Sequence, residues 1–341
     1  MIFQQVDAFV AQQISAFFTI GNATQSLPGM FVAFCIAVAF SLGRVRRQRD
    51  ISWRVLRRAL LPGRIIKSPS GRVDIGFTFC GIFVFGFLLG GAILGAASVG
   101  LAVQHALVRI FGKPEPSTLP PAAIVTLTTL AGYLAYELGY WLHHYLCHRI
   151  KFLWEFHAVH HSAESLSPLT NFRVHPVDTL LFGNVLAVVS GAVLGMLTYL
   201  FPVHAHEYLV SGTNVLVLTA LLLLTNLQHT HLWISFPGFW GKIFLSPAHH
   251  QIHHSRDCAH FDRNLGSTLA IWDSLFGTLY LPKPGRERLE FGVEGFDSPH
   301  SFHGAISLPF IKSIRALWNK LSAPAHWPVF RLVNTTLVRS E

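Results

Sequence analysis

Cysteine is scarce in this sequence, and the motifs that hold bound redox cofactors are missing. Four cysteines occur in 341 residues and none belongs to a CxxC pair, so neither a disulfide framework nor a zinc ribbon is indicated. There is also no glycine-rich dinucleotide fingerprint, no CxxCH haem-attachment motif and no iron–sulfur cysteine pattern. Any electrons that the protein uses must therefore come from a separate partner.

Charged residues are scarce as well. They make up 13% of the chain, whereas hydrophobic residues make up 51%, and the mean hydropathy is +0.43. With its long apolar runs, this composition predicts an integral membrane protein. The net charge of +9 does not indicate a nucleic-acid partner, because the basic residues border apolar runs and are not interleaved with stacking aromatics. Anionic lipid headgroups are the expected counter-charge.

The apolar runs predict an all-α, polytopic membrane protein with four to five transmembrane helices. The first run is shorter than the ~20 residues that span a bilayer, so it either crosses or lies in the interface. Ten Lys or Arg residues between Arg44 and Arg72 predict a short cytoplasmic loop. We therefore expect a bacterial inner membrane, or an equivalent one, with a histidine-rich cap on the cytoplasmic face. The runs are 27–43, 75–101, 121–142, 179–201 and 208–227.

Three regions follow from this arrangement. Residues 1–120 are expected to hold an N-terminal interfacial helix, transmembrane segments and the basic loop, with 102–119 as a non-cytoplasmic connection. Residues 121–282 contain most of the histidines, and residues 283–341 form a basic tail. An apolar stripe between Phe310 and Leu321 lies opposite lysine and arginine side chains, which predicts a helix on the bilayer surface.

Histidine is abundant in one part of the chain, where 16 of the 20 histidines lie between His143 and His260. Residues three and four apart share one face of an α-helix, so histidines at these spacings present their imidazoles to a common point. A mononuclear zinc site uses three or four protein ligands, so eight converging histidines predict two metal ions. Imidazole suits iron, copper, zinc and nickel, which leaves the element open. The eight residues are His144, His148, His157, His160, His161, His250, His253 and His254.

These histidines belong to longer motifs that follow one another in a fixed order. The motifs are Glu137-Leu-Gly-Tyr-Trp-Leu-His-His144-Tyr-Leu-Cys-His148, His157-Ala-Val-His160-His161, Phe172-Arg-Val-His175-Pro176, His249-His250-Gln-Ile-His253-His254 and Ile271-Trp-Asp-Ser-Leu-Phe-Gly-Thr278. From about residue 125 to residue 282 the chain resembles the fatty acid hydroxylase / sterol desaturase superfamily. It departs from many members at Glu137, Tyr145 and His231, where they have Asp, Arg and Asn.

The resemblance implies an O2-dependent membrane enzyme with two iron ions, a membrane lipid as substrate and an external electron donor such as a ferredoxin, a cytochrome or a reductase. His229 and His231 are expected to supply a further ligand, and the departure at His231 leaves open which of them does. Glu137 is a candidate acceptor for an imidazole N–H. His175 and Asn264 are further candidates for the surroundings of the metals, and Asp257 and Asp262 are weaker ones.

The resulting hypothesis is a lipid hydroxylase that has no catalytic side chain beyond the metal ligands. A desaturase, or a monooxygenase that cleaves an ether or oxidises a methyl group, would use the same residues. A non-catalytic metal-handling protein is an alternative from another class, but transporter sites lie near the bilayer midplane, whereas these histidines lie beyond the ends of the apolar runs. A two-zinc hydrolase is a third alternative. The sequence does not identify the substrate among fatty acyl chains, sterol-like rings, sphingoid bases, aminolipids and ether lipids.

Overall fold

The computed structural model describes residues 2–20, 23–48, 63–236, 238–283, 285–296 and 300–322. Much of the predicted basic loop and the end of the predicted basic tail lie outside the described residues.

Helices account for most of the described chain, as the sequence predicts. Two short strands, Leu209–Val210 and Thr213–Asn214, pair antiparallel in a small hairpin. Short 3-10 and π-helical turns connect several helices. The α-helices are α1 (Ile2–Phe18), α2 (Leu27–Gln48), α3 (Gly63–Ile66), α4 (Pro69–Cys80), α5 (Gly86–Leu89), α6 (Ala96–Phe111), α7 (Pro121–Arg149), α8 (Lys151–His161), α9 (Pro176–Leu200), α10 (Val215–Ala220), α11 (Asn226–Gln228), α12 (Phe239–Ile243), α13 (Pro247–His253), α14 (Ile271–Phe276) and α15 (Phe302–Ser322).

Three helical segments of the described chain are long and apolar enough to cross a membrane. They are Pro69–Phe111, Pro121–Arg149 and Pro176–Leu200, and two shorter apolar helices cover Leu27–Gly43 and Val215–Gln228. Each of these five segments overlaps one of the five predicted apolar runs. The three long segments make this a membrane protein, while four or five crossings and the cytoplasmic face remain predictions.

Two predicted boundaries are wrong. The run predicted from residue 208 becomes helical only at Val215, because the residues before it form the hairpin. The connection expected from residue 102 begins only at Gly112, because α6 continues to Phe111. The reason is tertiary packing against α9, where Gln104 Nε2 donates to the carbonyl oxygen of Thr198 at 3.4 Å. A Cβ added to Gly195 would clash with the carbonyl oxygen of Gly100, so small residues let the two backbones approach closely.

Helices α7 and α8 carry the first two histidine motifs to one end of the bundle. There α15 packs against α8, and Ser313 Oγ donates to the carbonyl oxygen of Phe152 at 3.0 Å. The helix predicted over the apolar stripe therefore exists and starts earlier, at Phe302. The stripe faces outward, with Trp318 69% and Leu321 75% exposed. Its location on a bilayer surface remains a prediction.

Candidate metal centre

Five buried or half-buried histidines form what we call the first histidine cluster. Helices α7, α8 and α13 contribute two, two and one of them, and their ligand atoms all lie within 4.8 Å of one another. Spacings of three or four residues within a helix place each pair on one face. The members are His144, His148, His157, His161 and His253.

In two histidines of this cluster, a backbone carbonyl oxygen binds the ring nitrogen that does not face the other imidazoles. His144 Nδ1 lies 2.8 Å from the carbonyl oxygen of Leu265, and His253 Nδ1 lies 2.9 Å from that of Arg263. A carbonyl oxygen only accepts hydrogen bonds, so each Nδ1 must carry the proton and each Nε2 presents a lone pair. The Nε2 atoms of all five histidines are buried and have no hydrogen-bond partner within the part of the chain that the structure describes. Converging, unpartnered lone pairs are the arrangement that a cation satisfies.

The second histidine cluster consists of His160, His229, His250 and His254, all of them buried. The Nε2 atom of His229 lies 3.2, 2.9 and 3.1 Å from the Nε2 atoms of His160, His250 and His254, respectively. The four ligand atoms again lie within 4.8 Å of one another. The clusters are adjacent, because the rings of His161 and His254 stack with centroids 4.5 Å apart.

Burial favours the neutral form of several of these imidazoles. Desolvation, with the neighbouring imidazoles as a second cause, lowers the pKa of His161, His250 and His254 well below the usual value. Desolvation alone lowers the pKa of His229 to about 3. Neutral imidazole is the form that binds metal ions. Each cluster could therefore hold a metal ion at neutral pH without first releasing protons.

All eight histidines predicted from their spacing lie in the two clusters. Of the two further candidates, His229 belongs to the second cluster, whereas His231 belongs to neither among the described residues. His231 follows the end of α11 by three residues and lies in a bend of the chain. The geometry thus favours His229 as the additional ligand.

The role expected for Glu137 needs correction. Its carboxylate contacts no imidazole and instead accepts hydrogen bonds from the backbone N–H groups of Thr268 and Leu269, at 3.0 and 2.9 Å, and from the Thr268 hydroxyl at 2.5 Å. The physical reason is distance along α7, because the offset of seven residues from Glu137 to His144 corresponds to ~10 Å of helix rise. Glu137 fixes the loop that follows the third histidine motif.

The other two candidates support the backbone around the histidines. His175 is the N-cap of α9, where its Nδ1 accepts from the N–H of Val177 at 3.2 Å, and it joins neither cluster. Asn264 has a left-handed backbone (φ +56°) and donates through Nδ2 to the carbonyl oxygen of His249 at 3.1 Å. Asn264 therefore holds the helix that carries His250 and His253.

Two aspartates contact the first cluster, and the sequence reasoning missed the more central one. Asp178 Oδ1 lies 2.8 Å from His143 Nε2, and its Oδ2 lies 2.9 Å from His157 Nδ1. Asp262, expected as a weaker candidate, lies 3.2 Å from His148 Nδ1. One feature of the sequence could have identified Asp178. It lies two residues after Pro176, in the first turn of a helix that begins beside the second histidine motif.

We expect Asp178→Asn to weaken metal retention about 10- to 100-fold, the usual effect of losing a carboxylate that orients a ligating histidine. An asparagine has one acceptor oxygen and cannot accept from both His143 and His157. The measurement is bound iron in purified protein against increasing chelator concentration. The control is Asp257→Asn, because Asp257 is exposed and caps a 3-10 turn. Equal chelator sensitivity of the two variants would rule out an orienting role for Asp178.

A cavity of about 330 Å³ adjoins both clusters. His144 and His157 of the first cluster and His160 and His229 of the second line it. Its other walls include Phe85, Phe182 and Leu221, from three helical segments that belong to the apolar runs, so an apolar molecule that enters it would reach both clusters.

The fold and the site define a class, namely helical membrane proteins with two adjoining histidine clusters at the end of an apolar cavity. Residues 129–278 match the family model described as fatty acid hydroxylase. This part of the chain is therefore similar to the fatty acid hydroxylase family.

Curated relatives agree with this assignment. An ornithine lipid hydroxylase from Rhizobium tropici is 30% identical over 211 residues, which cover 59% of this chain and 56% of the relative. Alkylglycerol monooxygenases from Homo sapiens and Danio rerio are 26% and 27% identical over 166 and 164 residues, which cover 49% and 47% of this chain and 33% and 32% of theirs. The matches thus span about half of the first relative and a third of the others. No solved structure matches the chain.

Proposed function

We propose that this protein is a membrane-bound, O2-dependent, non-haem di-iron oxygenase that hydroxylates a C–H bond of a membrane lipid. The observation that carries this proposal is the junction of the two histidine clusters with a cavity whose walls come from apolar helices. The similarity of residues 129–278 to the fatty acid hydroxylase family supports oxygenase chemistry on a lipid. We also propose that the protein lies in a bacterial inner membrane, or an equivalent one, with its histidine clusters on the cytoplasmic face.

The two clusters would hold one iron ion each. Iron is proposed over the other metals that imidazole binds because the superfamily resemblance implies it. Bound iron would supply the activation of O2 for which no amino-acid side chain is suited. The first cluster offers five imidazoles and the second four, which is enough for two adjacent ions with room for exchangeable positions.

The chain's own residues would position the ligands and the substrate. The carbonyl oxygens of Leu265 and Arg263 and the carboxylate of Asp178 hold imidazole rings in fixed orientations. The walls of the cavity would exclude water and place one carbon of an alkyl chain near the clusters. Positioning decides which C–H bond reacts, because binding energy away from the reacting atom orients it.

Aminolipids are the substrate class that we favour. The match covers 56% of the relative that is named an ornithine lipid hydroxylase, which is more than it covers of the alkylglycerol monooxygenases. The alternative is an ether lipid, the substrate class in the name of the alkylglycerol monooxygenases. Desaturation remains an alternative outcome of the same chemistry. An external one-electron donor, such as a ferredoxin, a cytochrome or a reductase, would have to dock near the clusters.

Comparison of lipid extracts from cells with and without the gene tests the proposal. We expect a lipid class that gains 16 mass units only in cells that contain the protein and oxygen. A loss of two mass units would indicate desaturation, and release of an alkyl chain would indicate ether cleavage. Products that form equally well without oxygen, or purified active protein with zinc in place of iron, would contradict the proposal and favour a hydrolase.

A further inference from the structure

Two π-helical turns flank the cavity. They are Gly81–Phe85, between α4 and α5, and Leu221–Thr225, between α10 and α11. In the first turn the N–H of Gly86 donates to the carbonyl oxygen of Gly81. This hydrogen bond joins residues five apart, as in a π-helix, rather than four apart, as in an α-helix. π-Helical turns are rare and frequently occur at functional sites. Gly81, Phe85, Leu221 and Thr225 line the cavity.

The residues that line the cavity extend along the helix axes. On α7 the lining residues run from Tyr136 to His144, eight residues that correspond to ~12 Å of rise. Opposite α7 they run from Thr78 to Phe85, which corresponds to ~10 Å. The cavity therefore begins at the histidine clusters and continues along segments that are apolar enough to cross a membrane. A lining that extends ~10–12 Å along the helices can accommodate part of an alkyl chain.

Gly81 contributes empty space to this wall. Its backbone is ordinary right-handed helix, with φ −60° and ψ −47°, so the fold does not require glycine for conformational reasons. A Cβ added there would meet no atom within 4 Å. The neighbouring Gly86 differs, because its added Cβ would lie 3.2 Å from the ring of Phe9. At Gly81 the absence of a side chain keeps a space open beside the cavity.

We propose that the alkyl chain of the lipid lies in a channel between the two π-helical turns, and that Gly81 determines how bulky and how long a chain the channel accepts. The assignment of this chain as a substrate rests on the proposed function. The channel itself rests on the lining residues and on the free space at Gly81.

Photo-crosslinking tests the channel without requiring turnover. The purified full-length protein in phosphatidylcholine nanodiscs is irradiated with palmitic acid that carries a diazirine at the chain end, and the labelled peptides are identified by mass spectrometry. We expect labels within 78–85 and 221–225. We expect Gly81→Leu to reduce this labelling at least several-fold and Gly81→Ala to reduce it less, because leucine fills more of the free space.

Gly90→Leu is the matched control. Gly90 is exposed, has no atom within 4 Å of an added Cβ and is not among the lining residues. Bound metal is measured in every variant, so that a misfolded protein is recognised. Equal labelling in Gly81→Leu and Gly90→Leu, or labels spread over the outer faces of the helices, would overturn the channel.

The outcomes separate the channel from the proposed function. Labelling as expected, with no oxidised lipid in cells, would leave the channel standing and contradict the oxygenase. An oxidised lipid in cells, with labelling that does not respond to Gly81→Leu, would contradict the channel alone. If the channel and the oxygenase are both correct, Gly81→Leu should shift the oxidised products toward lipids with shorter chains, whereas Gly90→Leu should not.

Discussion

Replacement of one histidine in either cluster is expected to abolish lipid oxidation and to remove iron from the purified protein. In the first cluster we expect His161→Ala to leave one iron per chain or none, and in the second we expect the same of His250→Ala. Each replacement removes a neutral nitrogen that points into its cluster. The remaining imidazoles cannot move into the gap, because hydrogen bonds such as that from His253 Nδ1 to the carbonyl oxygen of Arg263, or their places on the helices, fix their orientation. Iron and protein are measured on the same sample, together with the lipid products.

Two further variants make this prediction specific. His303→Ala changes an exposed histidine of α15 that belongs to neither cluster and should retain both the iron and the activity. His231→Ala should behave like this control, whereas His229→Ala should behave like His250→Ala. Full iron content in His229→Ala together with loss in His231→Ala would contradict the second cluster as the structure places it. All variants should still insert into the membrane, because the long apolar helices are unchanged.

The sequence indicated the helices well where apolar composition alone determines them. Three of the apolar runs, 27–43, 121–142 and 179–201, recur as continuous helices because a helix satisfies all its backbone hydrogen bonds within one segment. The run 75–101 is interrupted between Ala92 and Ala96, and the run 208–227 begins with the hairpin. The end of α6 was not predictable, because it depends on glycines of α9 that are about ninety residues away in sequence. The π-helical turns were not predictable either, since the extra residue in each turn has no simple compositional signal.

The candidate metal centre was likewise predictable only in part. The eight histidines could be found because helical periodicity places them on common faces. Their supports could not, since the carbonyl oxygens of Leu265 and Arg263 belong to a loop whose path is fixed by Glu137 and Asn264. Asp178 likewise contacts His157 only through the packing of two helices. Spacing within one helix is readable from sequence, whereas contacts between helices are not.

Loss of the Arg173 guanidinium is expected to have the largest effect on stability. Arg173 and Asp74 are fully buried and lie 3.1 Å apart. Arg173 also donates to the carbonyl oxygen of Val159 at 3.0 Å and to Ser162 Oγ at 2.8 Å, on either side of His160 and His161. Removing one partner of such a pair leaves a buried charge without compensation, which costs about 3–5 kcal/mol. We expect Arg173→Met to unfold at a clearly lower temperature in detergent and to lose iron from both clusters.

A second replacement separates the charge from the packing around it. In the double variant Asp74→Leu, Arg173→Met no charge remains unpaired, and apolar replacement of both partners is often neutral or better. We therefore expect most of the lost thermal stability to return, while the iron content recovers less because the hydrogen bonds from the guanidinium to Val159 and Ser162 are still missing. Arg256→Met, which breaks an exposed pair with Glu290, should cost less than about 1 kcal/mol. A double variant as unstable as Arg173→Met would show that the guanidinium acts through its contacts beside His160 and His161 rather than through its charge pair with Asp74.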